Sequence, residues 1–534
     1  MSHAAAAATA SRSPAKHNPW IVAIVISIAT FMEVLDTTIA NVALRNIAGG
    51  LAVGPDEAAW VVTSYLVANA IVLCASSWLA QTFGRKRFYM ACVAIFSLSS
   101  VLCGFATSLQ ELLLFRVLQG LGGGGMAPVS QSILADSFPP EKRGQAFALY
   151  GVAIVVAPIV GPTLGGWITD NYSWHWVFLI NAPVGLLSLG LVHVFVEQKT
   201  HPDDRGKRLL HGLRNFDLIG FALIAACLGS LEIVLDQGQR DDWFGSNVIV
   251  FFTAVSVVCF LLFLPWGYLR KNSVIDLHIL FSRQFGACFL VMLGTGGILI
   301  STVQILPQLL QDNFGYTATL AGLALSPGGM VTMVMMPIAG RLTGIVQPRY
   351  LIMTGAAVMV FAMYNLTNLY SGNDFSFFVW SRVYIGIGLP LIFVSITSAS
   401  YEGIPPDKTD QASALINVGR NLGGSIFVSI AQTVLAQRQQ FHQSRLVEHI
   451  TPADWHYQST LAQATQYFIQ KGATAADAAR QALAFVQQIV QQQASFLAYI
   501  DVFVVIGVLA FCMIPLAMLV RPVKQGKGAP SGAH

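Results

Sequence analysis

Fourteen separate stretches of this 534-residue chain are apolar over about the 20 residues that a helix needs to cross a bilayer. They are centred near Ile28, Val67, Ile95, Gly122, Val156, Leu186, Ala226, Val257, Leu293, Met330, Val358, Ile387, Gly424 and Leu509. Backbone polar groups in lipid must satisfy one another within the chain, so apolar runs of this length become helices. The composition agrees: 54% of residues are hydrophobic and 10% are charged, against roughly 25% charged in a soluble domain. A cytosolic enzyme, a disordered chain and a disulfide scaffold are excluded. The net charge of +4 is small and the basic residues are scattered, which argues against nucleic-acid binding. All seven cysteines fall inside apolar runs and none forms a CxxC pair, so neither a structural disulfide nor a zinc site is expected.

The distribution of Lys and Arg fixes an orientation. With a cytoplasmic N-terminus and fourteen spans, 21 of the 30 basic residues fall on the cytoplasmic side and six fall on the other. The remaining three, Arg116, Arg382 and Arg420, lie within spans. A missed or false helix would scramble every later loop. The first apolar run is long and thirteen more follow it, so it reads as an uncleaved first span and not as a removed signal peptide.

An internal repeat divides the chain. RVLQGLG at 116–122 faces RVYIGIG at 382–388, and PPEKRGQAFAL at 139–149 faces PPDKTDQASAL at 405–415. Both pairs share an offset of 266, which is the signature of a duplication. Spans 1–6 and 9–14 then form two six-helix halves, with spans 7 and 8 inserted between them. The expected divisions are a tail (1–19), an N-terminal bundle (20–200), a linker with the inserted spans (201–272), a C-terminal bundle (273–521) and a second tail (522–534). Paired helical halves are a common transporter plan, with the binding site between them near the midplane.

Charged side chains inside a span are costly, and each needs a reason. Glu33 and Asp36, in FMEVLDTTIANVAL, share one face of span 1. Asp36 lies about 24 Å along the helix from Trp20 at 1.5 Å per residue. Desolvation disfavours the carboxylate and a neighbouring Arg restores it, so such a group can load and release a proton as its surroundings change. Arg116 is its natural partner; a fixed ion pair is the plainer alternative. Glu232, in span 7, is a weaker candidate because that helix belongs to the insert. Asp501 begins the last span and reads as solvated. Arg382 and Arg420 read as helix-to-helix ties. Arg382 matches Arg116 across the repeat, but span 9 carries no acid to match Asp36.

Span 5 reads GVAIVVAPIVGPTLGGWI, in which Gly161, Pro162, Gly165 and Gly166 permit close packing and a kink. The glycine run 122–125 is not followed by GK[ST], so ATP is not the expected energy source. Asn41, Asn69, Gln119 and Gln304 are candidates to line a substrate cavity, with helix-to-helix hydrogen bonding as the alternative for each. HExxH, GxSxG and clustered metal ligands are absent from the sequence, so neither an enzyme nor a metal or cofactor site is expected.

These segments resemble the major facilitator superfamily over nearly the whole chain, and within it the fourteen-span drug:proton antiporter family of the EmrB type. The resemblance is carried by LDTTIANVAL (35–44), FGRKR (83–87), LLLFRVLQGLGGG (112–124), GPTLGGWI (161–168) and WHWVFLINAPVG (174–185). It implies proton coupling at Asp36 and Arg116, a cytoplasmic gate at Gly84, Arg85 and Lys86, and an exporter hinge at the span 5 glycines. It also implies a multi-pass protein of the bacterial inner membrane with both termini cytoplasmic. The chain departs from the family pattern at four points. Gln81 stands in place of the loop 2–3 acid and Thr82 in place of the Arg beside it, which puts at issue the charge relay that locks the outward-open state in many relatives. Arg45 replaces a Pro, and His175 replaces an Arg.

Residues 438–497, between spans 13 and 14, fall outside the cytoplasm by the charge count. Thr451-Pro452-Ala453-Asp454 reads as a capping-box start for a helix ending near Gln470, with Gly472 as its stop. A second helix begins at Thr474 and continues into span 14, with Ala478, Ala482, Phe485, Val486, Ile489 and Val490 on one face. This extension is either a cap on the transporter itself or a docking site. The resemblance implies a periplasmic adaptor of the membrane-fusion type. The expected fold is an all-α membrane protein of the major facilitator type with 14 transmembrane helices (6 + 2 + 6) and this helical periplasmic extension. The expected function is proton-driven efflux of hydrophobic or amphipathic small molecules, drugs among them, by alternating access. The alternatives are a dedicated exporter or proton-coupled importer of one metabolite, and a membrane sensor or scaffold that transports nothing.

Overall fold

A computed structural model describes residues 18–197, 216–270, 273–448, 450–451 and 454–522, and all of its regular structure is helical. The expected tails and the stretch after span 6 lie largely outside the described residues. Among the described residues, fourteen helices are long and apolar enough to cross a membrane. Spans 1–6 are Pro19–Leu51, Asp56–Phe83, Arg85–Cys103, Leu109–Ser137, Glu141–Asn171 and Trp176–Phe195. Spans 7 and 8 are Leu218–Gln237 and Asn247–Leu269. Spans 9–14 are Arg283–Phe314, Thr319–Leu342, Pro348–Leu366, Phe375–Ser400, Thr409–Glu448 and Ala475–Met518.

Local chemistry sets the helix ends. Asn18 accepts from the backbone N–H of Trp20 and Pro19 opens span 1, which pairs an N-cap with a proline where no donor is lost. Gly84, at φ 86°, separates spans 2 and 3, in a conformation that L side chains rarely adopt. Span 4 consists of two helices, Leu109–Gly123 and Met126–Ser137, which meet at the glycine run. A Cβ on Gly122 would lie 2.6 Å from the backbone N of Phe96, and one on Gly124 would lie 2.4 Å from the carbonyl O of Asn69. The run therefore lets span 4 press on the backbones of spans 3 and 2.

The duplication read in the sequence is a structural one. Span 1 packs on 5, span 2 on 4 and span 3 on 6; span 9 packs on 13, span 10 on 12 and span 11 on 14. Adding eight to each number turns the first set into the second. The seam between the halves obeys the same symmetry, with span 5 against span 10 and span 2 against span 13. Span 7 packs on span 2 and reaches span 13, and span 8 packs mainly on span 7. Val250, Phe251, Val257, Val258, Leu261 and Leu262 of span 8 are all exposed, as a lipid-facing surface requires.

The helices of spans 13 and 14 run for 40 and 44 residues. At 1.5 Å per residue they are about 60 and 66 Å long, roughly twice the hydrocarbon core. Arg438 and His442 donate to Asp501 Oδ2 at 2.5 and 2.7 Å and tie the two helices together. Asp501 is thus a paired staple and not a merely solvated acid. Between the two lies the helix Trp455–Gln470, packed on the start of the span 14 helix.

Two expectations for this region change. The cap of Trp455–Gln470 is Asp454, whose carboxylate accepts from the N–H of His456. Thr451 instead accepts a backbone bond from Asp454 through its carbonyl at 2.9 Å. The Asp side chain takes the capping position nearest the first helical N–H groups, so the helix starts later than the Thr451 capping box predicts. Secondly, the buried stripe of the next helix is Ala478, Ala482 and Val490, with Val486 half-buried, while Phe485 and Ile489 are exposed. A single neighbouring helix covers a narrow i, i+4 strip, not the wider apolar face.

Candidate proton-coupling site

Asp36 and Arg116 meet inside the N-terminal half. Arg116 Nη1 donates to Asp36 Oδ2 at 2.7 Å, and neither side chain is exposed. Asp36 Oδ1 accepts from Gln119 Nε2 at 2.9 Å and from Asn181 Nδ2 at 2.6 Å. Arg116 also donates to Gln119 Oε1 at 2.7 Å and to the Val61 carbonyl at 3.0 Å. Its guanidinium lies 4.5 Å from the centroid of the Tyr65 ring and 5.5 Å from that of Phe178. Asn181 is itself positioned by Ser100 Oγ at 3.0 Å. Spans 1, 2, 3, 4 and 6 thus converge on one carboxyl group.

Gln119 therefore binds the acid within the half. Asn181 is the partner that residue-level reading missed. Its signal was a lone polar residue near the start of span 6, inside the 174–185 segment.

Glu33 lies about one turn before Asp36 and faces the seam between the halves. Asn69 Nδ2 donates to Glu33 Oε1 at 3.3 Å, while Oε2 is buried without a protein partner. Arg420, on span 13 of the other half, acts electrostatically on Glu33. Arg420 Nη1 and Asn417 Oδ1 are likewise buried and unpaired. Arg420 is therefore more than a tie within its own half. Asn41 and Gln304 are both exposed and stand apart from this cluster.

The face where span 1 begins, the cytoplasmic face of the charge count, is called the inner face below. Hydrogen bonds between the two halves gather there. Arg85 pairs with Asp136 of its own half, and Arg85 Nε donates to Asp410 of span 13 at 2.7 Å. Ser132 Oγ reaches Ser413 Oγ at 2.8 Å, and Asn417 Nδ2 donates to Gln131 at 2.9 Å. With Gln81 standing in place of the loop 2–3 acid, the carboxylates that pair with Arg85 are those of Asp136 and Asp410. Gln81 itself donates to Ser77 Oγ and to the Asp407 carbonyl, both at 3.5 Å. Lys86 Nζ donates to the His193 carbonyl at 2.7 Å.

The span 5 residues lie against span 1 beside the acid. A Cβ on Gly161 would stand 2.1 Å from Thr38 Oγ1, and one on Gly165 would stand 3.1 Å from Ile39. Pro162 and Gly166 are buried in the same helix, which is continuous from Pro140 to Asn171.

Residues 26–428 match the model of the Major Facilitator Superfamily. The chain belongs to the major facilitator superfamily. This facilitator is 35% identical to the multidrug export protein EmrB of Escherichia coli (strain K12) over 515 residues, covering 96% of this chain and 98% of that one. It is 33% identical to the fatty acid resistance protein FarB of Neisseria gonorrhoeae over 497 residues, covering 93% and 95%. Among solved structures it resembles the proton:xylose symporter XylE, with a TM-score of 0.56, 15% identity and coverage of 93% and 96%. At that identity the likeness concerns the fold alone.

Proposed function

We propose that this facilitator exports hydrophobic or amphipathic small molecules, drugs among them, in exchange for protons. The observation that carries the reading is the buried Asp36 carboxylate, held by Arg116, Gln119 and Asn181 in span 1. A carboxylate with three donors and no exposure depends on those partners to offset its burial. Protonation removes the charge that holds Arg116 and leaves the guanidinium to find other acceptors. The helices carrying these groups then repack, and the halves open to the opposite face. The multidrug export proteins that resemble the chain over nearly its full length support this direction of transport.

The substrate enters at the seam, from the cytoplasm or the inner leaflet. Apolar and aromatic walls supply most of the binding. Glu33 Oε2, Asn417 Oδ1 and Arg420 Nη1 are polar groups left free there for a substrate's polar end. Glu33 is a second place for the proton, and Gly84, Arg85 and Lys86 belong to the inner gate. The protein sits in the bacterial inner membrane with both termini in the cytoplasm. One proton crossing 100 mV provides about 2.3 kcal/mol, which sustains roughly a fortyfold concentration ratio.

The extension 438–497 docks a periplasmic adaptor, which makes the chain the inner-membrane part of a tripartite pump. Its projecting helices and the exposed Trp455, Tyr467, Leu483 and Phe485 support that reading. Export into proteoliposomes under an imposed pH gradient tests the core of it. Wild-type protein should release protons when a transported drug is added. Equal proton release by Asp36→Asn would remove Asp36 from the mechanism.

A further inference from the structure

The inserted span 7 holds on to both halves through two acids one turn apart. Asp236 accepts from Thr63 of span 2, and its neighbour Gln237 donates to the same hydroxyl at 2.7 Å. Thr63 stands two residues from Val61, whose carbonyl takes Arg116 Nε. One turn deeper, Glu232 Oε1 accepts from Ser425 Oγ of span 13 at 2.6 Å. Span 7 is thus bonded to the N-terminal half at Thr63 and to the C-terminal half at Ser425, across the seam where spans 2 and 13 meet.

The order of these groups along the helix matters as much as their partners. Glu232 is buried, Asp236 is half-buried and Arg240, in the turn after the helix, is exposed. The spacing of four places all three on one stripe, running from the outer end of span 7 to a buried carboxyl group. Asp236 is the charged group that acts on Glu232, and Arg240 acts on Asp236. Among the described residues, neither span 2 nor span 13 brings a cation to Glu232. A buried membrane acid without a cationic partner, next to a second acid that leads to the surface, has the layout of a proton path.

We propose that Glu232 is a second proton-carrying acid, loaded from the outer face by way of Asp236, and that span 7 acts as a proton-dependent tie between the two halves. A proton passes through Asp236 to the Glu232 carboxylate. Ser425 then donates to a neutral acid instead of an anion, and a bond to a neutral acceptor is roughly half as strong. The grip of span 7 on span 13 loosens, while the Thr63 bonds keep span 7 on the N-terminal half. The inference rests on the proton-coupled reading above but concerns a different carboxyl group.

The test uses the purified full-length protein, with its carboxyl C=O infrared band followed from alkaline to acidic pH. Glu232→Gln keeps the size and the acceptor oxygen but cannot titrate, and it should remove one component of the band. Ser425→Ala removes a donor to the anion, so it should keep that component and move its midpoint to higher pH. In proteoliposomes carrying ethidium as the probe, Glu232→Gln should flatten the pH dependence of transport, and Asp236→Asn should slow proton entry after a pH jump. A titration unchanged by Glu232→Gln, or a midpoint unmoved by Ser425→Ala, overturns the proposal. If Asp36→Asn removes its own component while Glu232→Gln removes none, the tie fails and the proton-coupled reading stands. If neither Asp36→Asn nor Glu232→Gln removes a component, both fall.

Discussion

Arg382 donates to Thr302 through Nη1 at 3.3 Å, the contact that Arg116 makes with Asp36 in the other half. Both residues stand 266 positions after their counterparts. The two halves share the buried arginine, and a hydroxyl stands in the second where the first has a carboxylate. A hydroxyl can orient a guanidinium but does not exchange protons near neutral pH. On the proposed reading, proton handling of this type belongs to the N-terminal half alone. Thr302→Val should leave substrate-driven proton release in proteoliposomes intact, while Asp36→Asn should abolish it. Comparable losses in both variants would contradict the asymmetry.

The inner face is held by Arg85, which bridges Asp136 and, across the seam, Asp410. Arg85 and Asp136 are partly exposed and Asp410 is buried. Breaking the pair should cost on the order of 1 kcal/mol, which is about a fivefold change in the populations of two states. Asp410→Asn should therefore favour states open at the inner face. The measurement is thiol labelling of a cysteine introduced near Gln131: its rate should rise several-fold, and an unchanged rate would show that Arg85 is not a lock.

Much of this was legible from the chain because a bilayer leaves few options. Length and apolarity define the spans, and the offset of 266 defines the halves. Asp36 and Arg116 were legible because charge inside a span is rare. What escaped depends on three-dimensional packing. Asn181 carries no charge and lies 145 residues from its partner. Asp136 and Asp410 sit at span ends, where an acid looks like ordinary loop polarity, yet they supply the carboxylates that pair with Arg85. Thr451 resembled a cap by spacing, but Asp454 is closer to the N–H groups that need an acceptor.

A second fastening lies outside the spans. Asp276, just before span 9, accepts from Lys408 at 2.5 Å and from the His278 backbone and ring at 3.0 and 3.2 Å. Partial burial pushes its carboxyl up, but the bonds and charge of Lys408 and the His278 N–H outweigh it and hold the group below the usual range. A depressed folded value means the stabilisation is present above the unfolded value of about 3.9 and is lost as pH falls through the folded value. Lys408 is well exposed, so the contribution is about 1 kcal/mol or less. Asp276→Asn should be less thermally stable than wild type at pH 7, and the gap should close as pH falls below the usual carboxylate range. A gap that persists in acid would point to packing and not to charge.

The projecting hairpin allows docking to be separated from transport. Phe468 and Phe485 meet edge to face, with centroids 6.3 Å apart, and hold the helix Trp455–Gln470 to the span 14 helix. Trp455 and Tyr467 remain exposed, at 73% and 51%, far from Asp36 and the seam. Exposed aromatics on a protruding element are typical anchors of protein interfaces. Trp455→Glu combined with Tyr467→Glu places charge where an apolar partner surface would sit, without touching the buried Ala478 and Ala482 contacts. If the hairpin docks the proposed adaptor, drug export from intact cells should fall sharply. Proton-coupled uptake into proteoliposomes should match wild type, since no partner is needed there. Equal activity in cells would assign the hairpin to a structural cap, and a loss in proteoliposomes as well would show that it supports the transport cycle itself.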